Sequence, residues 1–92
     1  MTTSNSNPLV TDLEIYGKLT GIFHDVFQDE TIVLRPETSE SDIAGWDSFS
    51  NATLIAAIEK EFAIRFRTAE LQTLHNVRSF AALIRAKLQS RG

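Results

Sequence analysis

Gly45-Trp46-Asp47-Ser48-Phe49, with Leu54-Ile55-Ala56-Ala57-Ile58-Glu59-Lys60-Glu61-Phe62 a few residues downstream, marks the point where a turn-rich loop gives way to an amphipathic helix. Asp and Ser just ahead of an apolar run are helix-start residues, because their short side chains can accept from the unpaired first-turn N–H groups. The spacing predicts a helix from Ser48 to Phe62 in which Ala52, Ile55, Ile58 and Phe62 face inward. Thr53, Ala56, Glu59 and Lys60 then face outward. Phe49 lies one residue past the inward phase, so it is either a core residue or an exposed aromatic beside Ser48. Gly45 lets the chain turn closely at the junction, and Trp46 is suited to pin the end of the loop onto the body of the protein.

Upstream, Thr11 and Glu14 have the spacing of a capping box, and Ile15, Leu19, Ile22, Phe23, Val26 and Phe27 recur on one face of a first helix. Gly17 and Gly21 inside it cost about 1 kcal/mol each relative to alanine, so tertiary packing must hold that helix together. The connection from Gln28 to Asp47 is long for a small domain. Ile32, Val33, Leu34, Ile43 and Trp46 provide anchors that pack it down, and the β-prone run Thr31–Leu34 has no partner strand elsewhere. Downstream, Thr68 to Leu74 supports one or two helical turns. Asn76 can cap a last helix whose buried stripe is Val77, Phe80, Ala81, Ile84 and Leu88, with Arg85, Lys87 and Arg91 suited to its negative end. The expected fold is all-α, a four-helix bundle with a long loop between the first and second helices and a short third helix. Residues 1–8 read as a flexible polar tail closed by Pro8, leaving 9–92 as one domain.

Composition agrees with this reading. The chain has 92 residues, 42% hydrophobic and 23% charged, which describes one small globular core. A formal charge of -3 argues against a nucleic-acid partner, which needs a basic surface. No cysteine is present, so disulfides and thiolate chemistry are excluded. No apolar run reaches the length of a membrane span, and the polar start lacks the pattern of a secretory signal; the expected location is cytoplasmic.

The approach Pro36-Glu37-Thr38-Ser39, the Gly45-Trp46-Asp47-Ser48 junction, the close Ile58-Glu59-Lys60-Glu61-Phe62, the exit Ile64-Arg65-Phe66 and the start Asn76-Val77 together resemble the acyl carrier protein family. The resemblance extends over roughly residues 12 to 88, and the agreement of several signals in order and spacing makes it specific. Phe49 departs from the Leu or Met usual after the family's serine. The resemblance implies that a phosphopantetheinyl transferase moves 4'-phosphopantetheine from coenzyme A onto Ser48, where the positive end of the helix dipole complements a phosphodiester. It further implies a carrier, not an enzyme, that holds intermediates as thioesters and delivers them to an acyltransferase, ketosynthase or acyl ligase. Asp47 is then either a cap alone or also part of the surface shown to the transferase. Asp47, Phe49, Thr53, Ala56, Glu59 and Lys60 form the expected docking face. With only Glu59 opposing Lys60 there, docking is expected to be apolar and weakly salt-dependent. Fatty-acid carriers usually have an acidic second helix, so this face favours polyketide or related specialised biosynthesis. Peptidyl carriers resemble Gly-Gly-x-Ser, which this chain lacks. Ile55, Ile58, Leu71, Leu74 and Phe80 are expected to line a space for an acyl chain, in a protein that acts as a monomer.

Other chemistry is poorly supported. His24 and His75 have no local partner to make a serine-hydrolase base of either. Glu59 and Glu61 lie about 200° apart on the helix, off any shared metal-binding face. The rival readings are an unmodified helical interaction module in which Ser48 is only a cap, whose helix-turn-helix form is disfavoured by charge, and, within the family it resembles, a fatty-acid or aminoacyl/peptidyl carrier.

Overall fold

A computed structural model describes residues 11–90; the tail expected over residues 1–8 and Arg91 lie outside them. Four α-helices follow in order: α1, Asp12–Phe27; α2, Ser48–Phe62; α3, Thr68–Leu71; and α4, Val77–Ser90. Among the described residues no strand forms. The Thr11 and Glu14 capping box is present, with the Glu14 N–H donating to Thr11 Oγ1 at 3.2 Å and the Thr11 N–H donating to Glu14 Oε1 at 3.0 Å. Helix α1 is the common support, packing against both α2 and α4. Its Ile15, Leu19, Ile22 and Phe23 meet Leu54, Ile55, Ile58 and Phe62 of α2, and Val77, Phe80, Ala81 and Ile84 of α4, in one buried core.

The phase of α2 differs from the sequence expectation at one position. Ala52 is exposed, and Leu54 is fully buried in its place. Burying Leu54 and Ile55 side by side widens the inward stripe and covers far more apolar area than an alanine methyl would.

The long loop is tied to the bundle by hydrogen bonds as well as by apolar anchors. Ile43 and Trp46 are buried and Ile32 and Leu34 half-buried, but Val33, expected as an anchor, is 70% exposed. The backbone itself supplies the missing attachment. The first N–H groups of α4 have no helical acceptor; here Val77 N–H donates to the Thr38 carbonyl at 2.9 Å and Arg78 N–H to the Pro36 carbonyl at 2.8 Å. Buried Thr38 is locked in turn, its Oγ1 accepting from the Arg35 N–H at 2.9 Å. A short 3₁₀ turn at Glu40–Asp42, not anticipated from sequence, carries the chain onward. Asn76 does cap α4, its Oδ1 accepting from the Ser79 N–H at 2.9 Å.

Helix α3 is a single turn set apart from the main packing. Its Glu70 holds it by an ion pair with Lys87 of α4 at 2.8 Å and by accepting from the Arg67 N–H at 2.7 Å.

Candidate functional site

The start of α2 is built by five neighbours of Ser48, and the Ser48 side chain takes no part. Gly45, at φ +88°, turns the chain in a backbone region that favours glycine. Trp46 is then buried against α1 and α4, edge-on to Phe23 at 5.2 Å and within 6.2 Å of Phe27 and 6.1 Å of Phe80. Its indole N–H donates to Asn51 Oδ1 at 2.9 Å, which fixes the ring to the helix that follows. The packing role expected for Trp46 is met.

Asp47 is the N-cap. Its Oδ1 accepts from the Ser50 N–H at 3.0 Å, and its own N–H donates to Ser50 Oγ at 2.9 Å, closing a reciprocal box. The Ser50 hydroxyl donates onward to the Gly45 carbonyl at 2.7 Å. Hydrogen bonding from the Ser50 N–H holds the Asp47 carboxyl below the usual aspartate range. The idea that Ser48 is only a helix cap is therefore corrected, because Asp47 does the capping and Ser48 is the first helical residue. The Ser48 hydroxyl is exposed, with no hydrogen-bond partner among the described residues. Ser50 and Asn51 are the residues that sequence reasoning missed. Their signal was Asp47 with a hydroxyl three residues on, a shortened form of the Ser/Thr-x-x-Glu box.

The structure distributes the other expected residues unevenly. Phe49 stands 84% exposed next to Ser48. Thr53, Ala56 and Lys60 face solvent, whereas Glu59 is half-buried and its Oε2 accepts from the Phe66 N–H at 2.8 Å, bracing the α2–α3 turn. Of the expected acyl-chain lining, Ile55, Ile58 and Phe80 are buried, Leu74 is half-buried, and Leu71 is 36% exposed at the rim. His24 Nε2 lies 2.8 Å from the Ile32 carbonyl and ties the loop to α1, and His75 is exposed beyond α3. Among the described residues no three His, Asp or Glu side chains gather in a way that could hold a metal ion, and no helix is long and apolar enough to cross a membrane.

A family model described as "Phosphopantetheine attachment site" matches residues 17–84. The chain is also similar to a holo acyl carrier protein from Geobacter metallireducens solved in solution by NMR, at 45% identity and a TM-score of 0.78, over 83% of this chain and 87% of that one. No curated protein matches it. The chain belongs to the acyl-carrier family of phosphopantetheine-bearing proteins, and so is a carrier rather than an enzyme, with 4'-phosphopantetheine as its prosthetic group. Members of the family work with a phosphopantetheinyl transferase and with acyl-processing enzymes. The start of α2 fits the group: an exposed serine hydroxyl without an internal partner stands at the positive end of a helix whose capping is already done by its neighbours.

Proposed function

We propose that this carrier bears its 4'-phosphopantetheine on Ser48 and presents acyl intermediates to the cytoplasmic enzymes of a polyketide or related specialised pathway, acting as a monomer. The observation that carries the attachment point is the division of labour at the start of α2. Asp47, Ser50, Trp46 and Asn51 are all committed to each other, and the Ser48 hydroxyl alone is exposed and unbonded. The bound group supplies a terminal thiol for acyl transfer. The chain's contribution is to fix the direction of the arm and to place Asp47, ionised at neutral pH, next to the hydroxyl in the surface that the transferase meets.

Intact mass after incubation with coenzyme A, magnesium and a broad-specificity transferase tests this. Wild type gains one phosphopantetheinyl group and Ser48→Ala gains none; a modified Ser48→Ala protein would overturn the assignment.

Docking is assigned to the exposed side of α2, with Phe49 as its apolar anchor, Thr53, Ala56 and Lys60 around it, and half-buried Glu59 at its edge. The scarcity of carboxylates there is what favours a specialised pathway over fatty-acid synthesis. An acyl chain is assigned to a space that opens over the packed Ile55, Ile58 and Phe80 when Leu71 and Leu74 move aside. Helix α3, a single turn outside the main packing, is the element that yields. Loading an apolar acyl chain then shifts the backbone amides of residues 68–75 more than those of α1, and unmoved amides in that segment would reject the route.

A further inference from the structure

The β-prone run over residues 31–34 is left unused by the carrier function. Among the described residues it pairs with no strand, yet it keeps a strand's form. Thr31 is exposed, Ile32 half-buried, Val33 exposed, Leu34 half-buried and Arg35 exposed, the residue-by-residue alternation of an extended chain. No φ in the run is positive, and Pro36 restricts Arg35 before it to extended conformations. Both ends of the run are pinned. The Thr31 N–H donates to Asp29 Oδ1 at 2.9 Å, and the Arg35 N–H donates to Thr38 Oγ1 at 2.9 Å.

Between those pins the backbone is open. A main-chain N–H or C=O that finds no partner in the protein takes one from outside it. Within residues 32–34 the one internal contact is that of the Ile32 carbonyl, 2.8 Å from His24 Nε2; the three N–H groups and the carbonyls of Val33 and Leu34 have none among the described residues. Val33, 70% exposed, stands in the middle. It sits in an open groove of about 490 Å³ whose charged lining is Asp29, Glu37 and Asp42 against Arg35, a net of -2. Asp29 and Asp42 accept from neutral groups, Thr31 and Ser39, and keep their charge. Among the described residues none of the four is in an ion pair.

We infer that residues 32–34 receive an extended segment of another protein as an added strand, an apolar side chain of that segment lying against Val33 and basic side chains on the carboxylates around it. Main-chain bonds fix the direction of the segment, and the charges select its sequence. Because the edge is held at both ends before binding, little conformational freedom is lost when it is used. A second copy of this chain is a poor occupant, since pairing two such loops brings together two grooves of net charge -2. The groove includes no residue of α2, and its use does not depend on a prosthetic group at Ser48.

The test uses the full chain and, as probe, a short synthetic peptide of alternating lysine and valine. Its controls are a glutamate and valine peptide of the same pattern, and lysine peptides N-methylated at one or the other of two adjacent central residues, whose N–H groups point to opposite edges. The lysine peptide should shift the amides of residues 31–35 more than those of α2, slow solvent exchange at Val33, and bind more weakly as salt is raised. One of the two N-methylated peptides should lose about fivefold in affinity, the effect of one main-chain hydrogen bond. Glu37→Lys, at an exposed side chain that makes no hydrogen bond or ion pair among the described residues, should also lose about fivefold. The inference is overturned if the glutamate peptide binds equally, if both N-methylated peptides bind as the parent does, or if Glu37→Lys binds as wild type does. It is also overturned if residues 31–35 do not shift at peptide concentrations up to about 1 mM, or if they shift with protein concentration alone, which makes a second copy the occupant. These measurements use the apo protein, and mass gain at Ser48 is read separately, so failure of this edge and failure of the carrier reading are told apart.

Discussion

The two ends of α2 are finished in opposite ways. At the N-terminal end, Trp46, Asp47, Ser50 and Asn51 form a closed set of hydrogen bonds over an aromatic cluster, and one hydroxyl is left out of it. At the C-terminal end, the turn is drawn together by Glu59, whose backbone carbonyl accepts from Ala63 and Ile64 and whose carboxylate accepts from Phe66, while cations and a strained alanine face water. A covalent attachment point needs a rigid base whose neighbours do not compete for the reacting atom. A surface that meets several partners needs free charges and accessible apolar area instead. The contrast separates an end of α2 whose polar groups are satisfied internally, with only the Ser48 hydroxyl and the Phe49 ring left to solvent, from an end that keeps unpaired cations at the surface.

Trp46→Ala is the strongest way to break the contrast. Removing a buried indole that touches Phe23, Phe27 and Phe80 should cost about 3–5 kcal/mol. Urea unfolding followed by circular dichroism reads the loss. If the cost were no larger than that of a surface change, the N-terminal end would not be the rigid one.

Asp47→Ala acts on the cap alone and should lower Tm by several degrees at neutral pH. Because the folded carboxyl titrates below its ordinary value, its contribution is full above the unfolded aspartate pKa of about 3.9 and disappears as pH falls through the lower folded value. Melting wild type and mutant side by side on acidification should therefore bring the two curves together below that range. A gap that persisted in acid would mean that the carboxylate charge is not what caps α2.

Much of this was legible beforehand, for reasons that differ by residue. The span of α2 followed from its apolar period and the Asp-Ser start, and the α1 cap from Thr11 and Glu14, because these signals are local. The burial of Trp46 followed from its size and its place at a loop end. What the sequence hid depends on contacts between distant segments. Leu54 rather than Ala52 turns inward because it joins a core built from α1, the loop and α4, which the period of α2 alone does not record. Val33 is exposed because Pro36 and Thr38 fasten the loop to α4 through backbone carbonyls, which no side-chain pattern records. The Glu59 bond to Phe66 depends on how the chain turns after α2, which the helical period does not record.

Ser48→Ala should have the smallest effect on stability, and it is the most telling. Asp47 and Ser50 cap the helix without it, its hydroxyl has no internal partner, and alanine is the better helix former in the first turn. Stability should change by no more than about 0.5 kcal/mol in either direction, the range of an ordinary surface substitution. Had Ser48 been the cap, the loss would be about 1 kcal/mol or more. Denaturant midpoints of the apo proteins, measured against Asp47→Ala as the reference for a true cap, resolve the two cases. A midpoint for Ser48→Ala that falls with that of Asp47→Ala would assign the hydroxyl a structural task and dissolve the distinction between the end of α2 that holds itself together and the single atom it leaves for another protein to use.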